Sequence, residues 1–475
     1  MKTVEPAPSL VAEPSVPGTS MRYLGGSPLR RYLLFYGLAM VGINALWGAV
    51  VAVLLPLQVQ NIEFAHWFTG ADAGANLQHL TDLKAQIKAG TATATPVQEH
   101  QLRLLGKFEA SRASSLSAVT AVGVFVTMLI QPVVGVLSDR TRSRWGRRAP
   151  WIAGGAVVGA ALLIGQRYST TIAALMFFWA VAQLTVNIAQ APLTVSIADR
   201  VPEHRLSTGS AVTGLASALG TAVGSVVVGG LFSVIGLNSF YLFALAVVVP
   251  CVLFVLMARD RSSLELPVAP LDWRRFLTSF FVPLRDADYR WVFISKLAIF
   301  FGYGVSSAFG LYMLQSYIRP ALSTEEATRT APLLVLAGLP CTVLAMIVAG
   351  WLSDRTGRRK PFVLGSSLLF AAAMLVPMIW PTLTALFVQA VIAAAALGCY
   401  VVVDQALFID VLPDKQDAGR DLGMSALAGN FGQAVGPIVA GQVVALSGGY
   451  FMVWPTTVVI VLVAAVAIVP VRSAR

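Results

Sequence analysis

Long apolar runs separated by short polar segments fill the chain from residue 32 to residue 470. A helix needs about 20 predominantly apolar residues to cross the hydrocarbon core of a bilayer, and most of the runs reach that length. The runs lie near residues 32–58, 114–138, 149–166, 171–198, 207–235, 239–258, 290–318, 331–352, 361–380, 382–411, 421–446 and 449–470. The pattern therefore predicts an all-α integral membrane protein with twelve transmembrane helices in two sets of six.

Three longer polar segments divide this pattern. The first is rich in Pro, Ser, Glu and Gly and lacks the apolar core of a signal peptide, so we expect a disordered cytoplasmic tail. The second separates spans one and two, and we expect an extracytoplasmic loop with helical segments near 76–88 and 97–112. The third separates spans six and seven as a cytoplasmic linker. The expected domains are the tail, 1–28; an N-terminal six-helix bundle, 29–258, including the 59–113 loop; the linker, 259–289; and a C-terminal six-helix bundle, 290–475.

Charge orients the predicted helices. Only 12% of the residues are charged, about half the fraction of a soluble chain, which excludes a secreted enzyme or a disordered protein. With the N-terminus placed in the cytoplasm, 26 of the 34 Lys and Arg residues fall on the cytoplasmic side. This bias follows the positive-inside rule. We therefore expect a multi-pass protein of the cytoplasmic membrane with both termini inside, and the net charge of +11 gives no reason to expect nucleic acid binding.

The sequence offers little chemistry for catalysis. The three cysteines, Cys251, Cys341 and Cys399, each lie inside an apolar run, and no metal-ligand spacing is present. No phosphate-binding loop of the G-x-x-x-x-G-K-[ST] type occurs. We expect no cofactor, no resident metal and no enzymatic activity, and a monomer in the bilayer.

One motif is repeated in the two halves. The first copy reads Gly135-Val-Leu-Ser-Asp139-Arg140 and continues to Gly146-Arg147-Arg148-Ala-Pro150 after a four-residue insertion. The second copy reads Gly350-Trp-Leu-Ser-Asp354-Arg355-Thr-Gly357-Arg358-Arg359-Lys-Pro361. Each copy joins the second and third span of its half. Six-helix repeats of this kind are a known transporter architecture.

The repeated motif resembles the signature loop of the major facilitator superfamily. A finer resemblance, to the glycoside–pentoside–hexuronide cation symporter and sucrose transporter branch, is carried by three segments: Gln131 to Ile152, Asn187-Ile-Ala-Gln190-Ala-Pro192, and Asp410-Val-Leu-Pro413 followed by Ala418 to Gly423. The resemblance implies the twelve-helix major facilitator fold and secondary active transport by alternating access. It also implies a small-molecule substrate, with a sugar or glycoside as the first expectation.

Departures from the relatives limit what the resemblance implies. Melibiose-type sodium symporters carry two carboxylates in the second span, where this chain has Gln131 and a neutral position near Thr127. Plant-type sucrose transporters carry an Asp and an Arg in the fourth span, where this chain has Gln183 and Thr194. A sodium site of that kind is therefore not expected, and the sucrose mechanism does not transfer. Protons are the expected coupling ion.

The resemblance also implies that the repeated loops form a latch for the outward-open state. The loop aspartates would accept hydrogen bonds from free N–H groups where a helix of the other half begins. Asp139 would meet the start of span eleven near Asp421, and Asp354 the start of span five near Ser207. Simple positive-inside anchoring is the alternative. The expected latch residues are Asp139, Arg140, Arg147, Arg148, Asp199, Asp354, Arg355, Arg358, Arg359 and Asp410.

Two ionisable residues break the rule that charges lie in loops. Lys296 in span seven and Asp404 in span ten lie at matching depths, and an ionisable residue at such depth is by default a functional candidate. We expect them to face each other, with proton or cation exchange at Asp404 gated by Lys296. A static ion pair, or Lys296 snorkelling to the surface, is the alternative.

Polar residues at helical spacing indicate a substrate site. On span four they recur at i, i+4, i+7 and i+11 and so share one face, and amides suit sugar hydroxyls because they both donate and accept. Helix–helix hydrogen bonding is the alternative. The expected substrate-binding residues are Asn44, Trp47, Gln183, Asn187, Gln190, Thr194, Tyr303, Ser307 and Tyr400.

Two other functions stay open. A proton-coupled exporter of a drug or secondary metabolite would also fit a sparsely charged cavity. A non-transporting sensor or assembly partner would use the 59–113 segment as its docking surface.

Overall fold

The computed structural model describes residues 26–202, 205–260, 262–264, 282–411 and 418–471. Almost all of the expected tail and most of the expected linker lie outside these residues. The helices are α1 Gly26–Trp67, α2 Leu77–Lys88, α3 Pro96–Arg140, α4 Ala149–Arg167, α5 Ile172–Arg200, α6 Leu206–Ile235, α7 Ser239–Met257, α8 Ala287–Ser307, α9 Gly310–Ser316, α10 Thr324–Thr356, α11 Lys360–Ile379, α12 Leu383–Asp410, α13 Ala418–Ser447 and α14 Val453–Ala467.

Within the described residues the chain is helical, and the predicted all-α class is confirmed. By length and apolar composition, seven helical segments of the described residues could cross a membrane, or eight if the bent pair α8 and α9 is one span. One of the seven, Thr208–Met257, runs through both α6 and α7. The exact number of twelve spans stays a prediction.

The helix boundaries follow local sequence signals. Thr95 and Ser323 each form a capping box with the residue three positions later, and these start α3 and α10. Asp286 accepts a hydrogen bond from the backbone N–H of Tyr289 at the start of α8. Gly357, at φ +60°, ends α10 in a left-handed conformation that glycine adopts without a Cβ penalty.

The segment 59–113 differs from the expected loop, because the flanking helices extend far into it. α1 runs on to Trp67 through a π-helical turn at Val50–Leu54, and α3 is a single helix of 45 residues from Pro96. The polar composition that suggested a loop does not end these helices, since their polar side chains hydrogen-bond one another. Only residues 68–95 form a separate cap, which contains α2.

The two halves pack in the same way. In the first half, α1 packs on α6 and α7, α3 on α5, and α4 on α5 and α7. In the second half, α8 packs on α13 and α14, α10 on α12, and α11 on α12 and α14. The contacts between the halves repeat this symmetry, with α3 against α13 and α6 against α10. The sequence repeat is therefore a repeat of packing.

Glycines allow the closest helix contacts. A Cβ at Gly436 of α13 would lie 2.4 Å from the backbone of Gly304 of α8. In the first half, a Cβ at Gly48 of α1 would lie 2.1 Å from the carbonyl oxygen of Thr221 of α6. Only hydrogen fits between such backbones, so these helix pairs depend on glycine.

Candidate functional site

The polar face of α5 is a connected cluster of hydrogen bonds. Gln183 and Asn187 are both buried, and the Asn187 amide donates to Gln183 Oε1 at 3.2 Å and to Thr127 Oγ1 at 3.2 Å. The Thr127 hydroxyl donates to Gln183 Oε1 at 3.2 Å. Thr127 belongs to α3, so the predicted face also joins two helices. Thr127 completes an amide cluster.

Two aromatic side chains lie beside this cluster. Trp47 of α1 donates from its indole N–H to Gln190 Oε1 at 3.1 Å, and its ring meets Trp179 edge-on at 6.1 Å between centroids. Trp179 is 1% exposed, and its own indole N–H has no partner among the described residues. The π-helical turn of α1 begins three residues after Trp47. Such turns are frequent at functional sites.

The remaining predicted residues of the first half are further from this cluster. Asn44 donates to the Met40 carbonyl at 2.8 Å and to Ser217 Oγ of α6 at 3.4 Å. Thr194 is exposed, and its hydroxyl donates to the carbonyl of Gln190. Asn44 thus contributes to the α1–α6 contact, while Thr194 has no side-chain partner among the described hydrogen bonds.

Lys296 and Asp404 form an ion pair, as predicted from their matching depths. Lys296 Nζ lies 2.9 Å from Asp404 Oδ2, and the Asp404 side chain is 1% exposed. Lys296 also donates to Ser425 Oγ of α13 at 3.0 Å, and its ammonium lies 5.0 Å from the centre of the Phe408 ring. Asp404 Oδ1 is buried without a hydrogen-bond partner among the described residues. Lys296 therefore points into the protein and does not snorkel to the surface.

The tyrosines and serines of α8 and α12 that were expected near this pair differ in burial. Tyr400 is fully buried, and its hydroxyl lies 3.3 Å from Ser295 Oγ, which donates to the carbonyl of Ala464. Tyr400 therefore lies in the α8–α12 contact and is not open to a solute in this conformation. Tyr303 is half-buried and Ser307 is exposed on the same face of α8 as Lys296.

Arginines of the first repeated loop converge on one aspartate. Arg148 Nε lies 2.6 Å and Arg147 Nη2 lies 3.0 Å from Asp199 Oδ2 at the end of α5. The same arginines approach Asp139, at 3.3 Å and 3.7 Å, and Asp139 remains 54% exposed. Asp139 is thus held only within its own half. The start of α6 near Ser207 and the start of α13 near Asp421 lie outside the described side chains.

The second repeated loop has fewer contacts. Arg359 Nε lies 3.0 Å from Asp410 Oδ2, which matches the pairing of Arg148 with Asp199. Arg355 lies over the Trp351 ring, and Asp354 and Arg358 are exposed. Arg140, of the first loop, is half-buried. The ion pairs that Arg147, Arg148 and Arg359 make all lie within one half.

Sequence reasoning missed a buried polar network at the opposite end of the bundle, the cap end, which we define by α2 and residues 108–117. Arg112 is 1% exposed, and Glu63 and Glu109 are also buried. Glu63 accepts hydrogen bonds from Ser111 and Ser115, and Glu109 pairs with Lys84 at 2.8 Å. The spacing of Leu105, Phe108 and Arg112 on one helix face is the signal that was available. No group of acidic, His and Cys residues suited to a metal occurs in the described chain.

Comparisons with known proteins agree with this fold. A family described as MFS/sugar transport protein matches residues 110–473. A stretch of 45 residues is 47% identical to an uncharacterized symporter of Synechocystis sp.; this match spans 10% of the chain and only 8% of that relative.

Two solved structures cover nearly the whole fold. The crystal structure of nucleoside transporter NupG has 15% sequence identity and a TM-score of 0.63, over 92% of this chain and 98% of that chain. A bacterial homolog to the human lysosomal transporter Spinster, inward-facing and occupied, has 14% identity and a TM-score of 0.64, over 94% of this chain and 97% of that chain. These likenesses establish the fold, and the predicted fold class and superfamily resemblance are confirmed.

Proposed function

The chain belongs to the MFS/sugar transport protein family. We propose that it moves a small polar solute, a sugar or glycoside, across the cytoplasmic membrane, and that a proton gradient drives this transport. The observation that carries this proposal is the buried Lys296–Asp404 ion pair. An ionisable pair at membrane depth is retained where ions or protons move. No binding site for a nucleotide is indicated by the sequence, so a gradient is the driving force.

The amide cluster of the first half supports a hydroxyl-rich cargo. Gln183, Asn187 and Gln190 offer donors and acceptors on one face of α5, and Trp47 offers an aromatic plane beside them. Sugar recognition needs both kinds of group, because each hydroxyl donates one hydrogen bond and accepts others. Part of the cluster also joins α3 to α5 through Thr127. The cluster would then be rigid before the solute arrives, which lowers the entropy lost on binding.

The geometry of the ion pair supports proton coupling. Asp404 Oδ2 binds Lys296, while Oδ1 is buried beside Tyr400 and is the oxygen on which a proton would be carried. Protonation removes the negative charge and weakens the hold on Lys296, which keeps Ser425 as a partner. A change at this pair therefore alters the contact between α8, α12 and α13. That is a route from proton binding to helix movement.

The contacts between the halves support alternating access. The halves meet at the cap end, where α1 contacts α9 and α10 and α2 contacts α9, while Arg147, Arg148 and Arg359 of the charged loops at the other end pair within their own halves. The positive-inside bias assigns that loop end to the cytoplasm. Contact between the halves at the cap end then supports an inward-open conformation; the expected latch partners of Asp139 and Asp354 lie outside the described side chains.

Transport in proteoliposomes tests the proposal. The purified protein would be reconstituted and offered radiolabelled sugars and glycosides with an imposed proton gradient, and empty liposomes are the control. Saturable uphill uptake that collapses with a protonophore is the expected result. Uptake of hydrophobic drugs against the gradient, without any sugar flux, would instead favour an exporter. Absence of any solute flux from folded protein would favour a sensor and contradict the proposal.

A further inference from the structure

Arg112 lies at the junction of the two halves at the cap end. Its guanidinium donates to Gln60 Oε1 of α1 at 3.3 Å within the first half. In the second half it donates to Gln315 Oε1 at 3.0 Å, Ser316 Oγ at 2.6 Å and the Tyr450 hydroxyl at 3.2 Å. Three of its four acceptors thus belong to the other half. A single side chain ties α3 to α9 and to the segment before α14.

All four acceptors of Arg112 are neutral. The two buried glutamates of the cap end hydrogen-bond to other residues, Glu63 to two serines and Glu109 to Lys84. Among the described residues Arg112 makes no ion pair, and the faces of aromatic rings take the place of a carboxylate. The guanidinium carbon lies 4.3 Å from the Tyr312 ring centre, 4.9 Å from that of Phe108 and 5.8 Å from that of Tyr450.

This chemistry suits a contact that must open. Breaking a buried ion pair strands a charge on each side, and the free energy needed is large. Separating Arg112 from neutral acceptors strands no carboxylate, because the guanidinium keeps Gln60 and Phe108 in its own half and gains water. The hydrogen bonds of a charged donor are still stronger than those between neutral groups, so the closed arrangement is favoured until the halves part.

Two of the four acceptors lie on a segment that is bent away from the preceding helix. Gln315 and Ser316 end the seven-residue helix α9, which is inclined by 42° to α8 across a break at Ala308 and Phe309. Two neighbouring cross-half contacts are also neutral: the Gln60 amide donates to Thr324 Oγ1 at 3.2 Å, and the Tyr312 hydroxyl donates to the Pro56 carbonyl at 2.7 Å. A third uses a carboxylate, because the backbone N–H of Ala321 donates to Asp82 Oδ1 at 3.4 Å.

We propose that Arg112 is the gate residue of the cap end, which holds the transport pathway closed there through neutral acceptors of the other half. The role of this gate in transport rests on the proposed function, whereas the closed contact of Arg112 is a property of the fold. Loss of Arg112 shifts the equilibrium toward the conformation open at the cap end.

Thiol labelling tests this without any substrate. The native cysteines are replaced by serine or alanine, and Ser117→Cys is introduced as a reporter, since Ser117 is 4% exposed at the α3–α13 contact. In detergent, Arg112→Ala should raise the rate of maleimide labelling at position 117 about tenfold or more. Arg112→Lys should have an intermediate effect, because one ammonium cannot reach all four acceptors. Arg103→Ala, an exposed arginine of the same helix, is the matched control and should leave the rate unchanged.

A second variant covers the case in which Arg112→Ala does not fold. Gln315→Leu combined with Tyr450→Phe keeps the arginine and removes two of its acceptors in the other half, so it too should raise labelling. Folding is checked by monodispersity on size exclusion. Unchanged labelling in folded Arg112→Ala, or in the folded double variant, would overturn the gate. Because the labelling assay needs no solute, its result tests the gate even if the transport proposal fails.

Discussion

Replacing Asp404 by asparagine is the sharpest perturbation of the proposed coupling site. The substitution keeps the shape of the side chain and removes its charge, so Lys296 loses the anionic partner 2.9 Å away while its own side chain is only 16% exposed. Removing one partner of a buried ion pair costs about 3–5 kcal/mol. Ser425 and the Phe408 ring still contact the ammonium. We therefore expect the free energy of unfolding to fall by about 3 kcal/mol, the lower end of this range.

Two further variants make this magnitude testable. Lys296→Gln combined with Asp404→Asn leaves a neutral, hydrogen-bonding pair and should recover most of the lost stability, since no charge remains unpaired. Asp410→Asn is the matched stability control on the same helix: its side chain is 42% exposed and pairs with Arg359, so the loss should stay below about 1 kcal/mol. Denaturant titration of the purified proteins measures all three.

The transport result separates coupling from structure. In proteoliposomes, Asp404→Asn should abolish proton-driven uphill uptake and retain exchange of solute down its own gradient. Uptake that still concentrates the solute, with the pH dependence of the unchanged protein, would refute the assignment of Asp404 to proton exchange. A stability equal to that of the unchanged protein would refute the reasoning about the buried charge.

Three further predictions follow from the contacts. Asn187→Leu should weaken sugar binding at least tenfold, because it removes the amide that joins Gln183 to Thr127 in the α5 cluster. The ligand-induced thermal shift measures this, and a shift equal to that of the unchanged protein would show that the cluster only joins helices. Gly436→Ala should destabilise the protein by about 1–3 kcal/mol, because the new Cβ meets the backbone of Gly304, whereas Gly230→Ala, which meets nothing within 4 Å, should be neutral in the same unfolding assay. Asp199→Asn removes the carboxylate shared by two loop arginines and should raise the proteolysis rate of the 139–148 loop; unchanged cleavage would contradict its anchoring role.

Several features of this protein can be predicted from one sequence, and each depends on local or periodic information. The apolar runs predict the helices because a bilayer requires about 20 apolar residues, and the capping residues Thr95 and Ser323 mark helix starts. The pairing of Lys296 with Asp404 can be predicted because few charges occur at that depth and each needs a partner. The motif at Asp139 and Asp354 identifies the repeat.

Other features are decided only by packing across the chain. Arg112 looks like one more charge of a polar loop, and its acceptors Gln315 and Tyr450 are 203 and 338 residues away. Sequence distance of that size carries no signal without the fold. The same holds for Tyr400, which the helix pattern assigns to a substrate face and the structure buries against Ser295.

By itself, the sequence determined the membrane class, the order of the helices and their orientation bias, because hydrophobic length, capping and charge are properties of contiguous residues. The tertiary structure decided which polar residues meet at the cap end, because hydrogen bonds between the halves depend on how the two halves lie against each other.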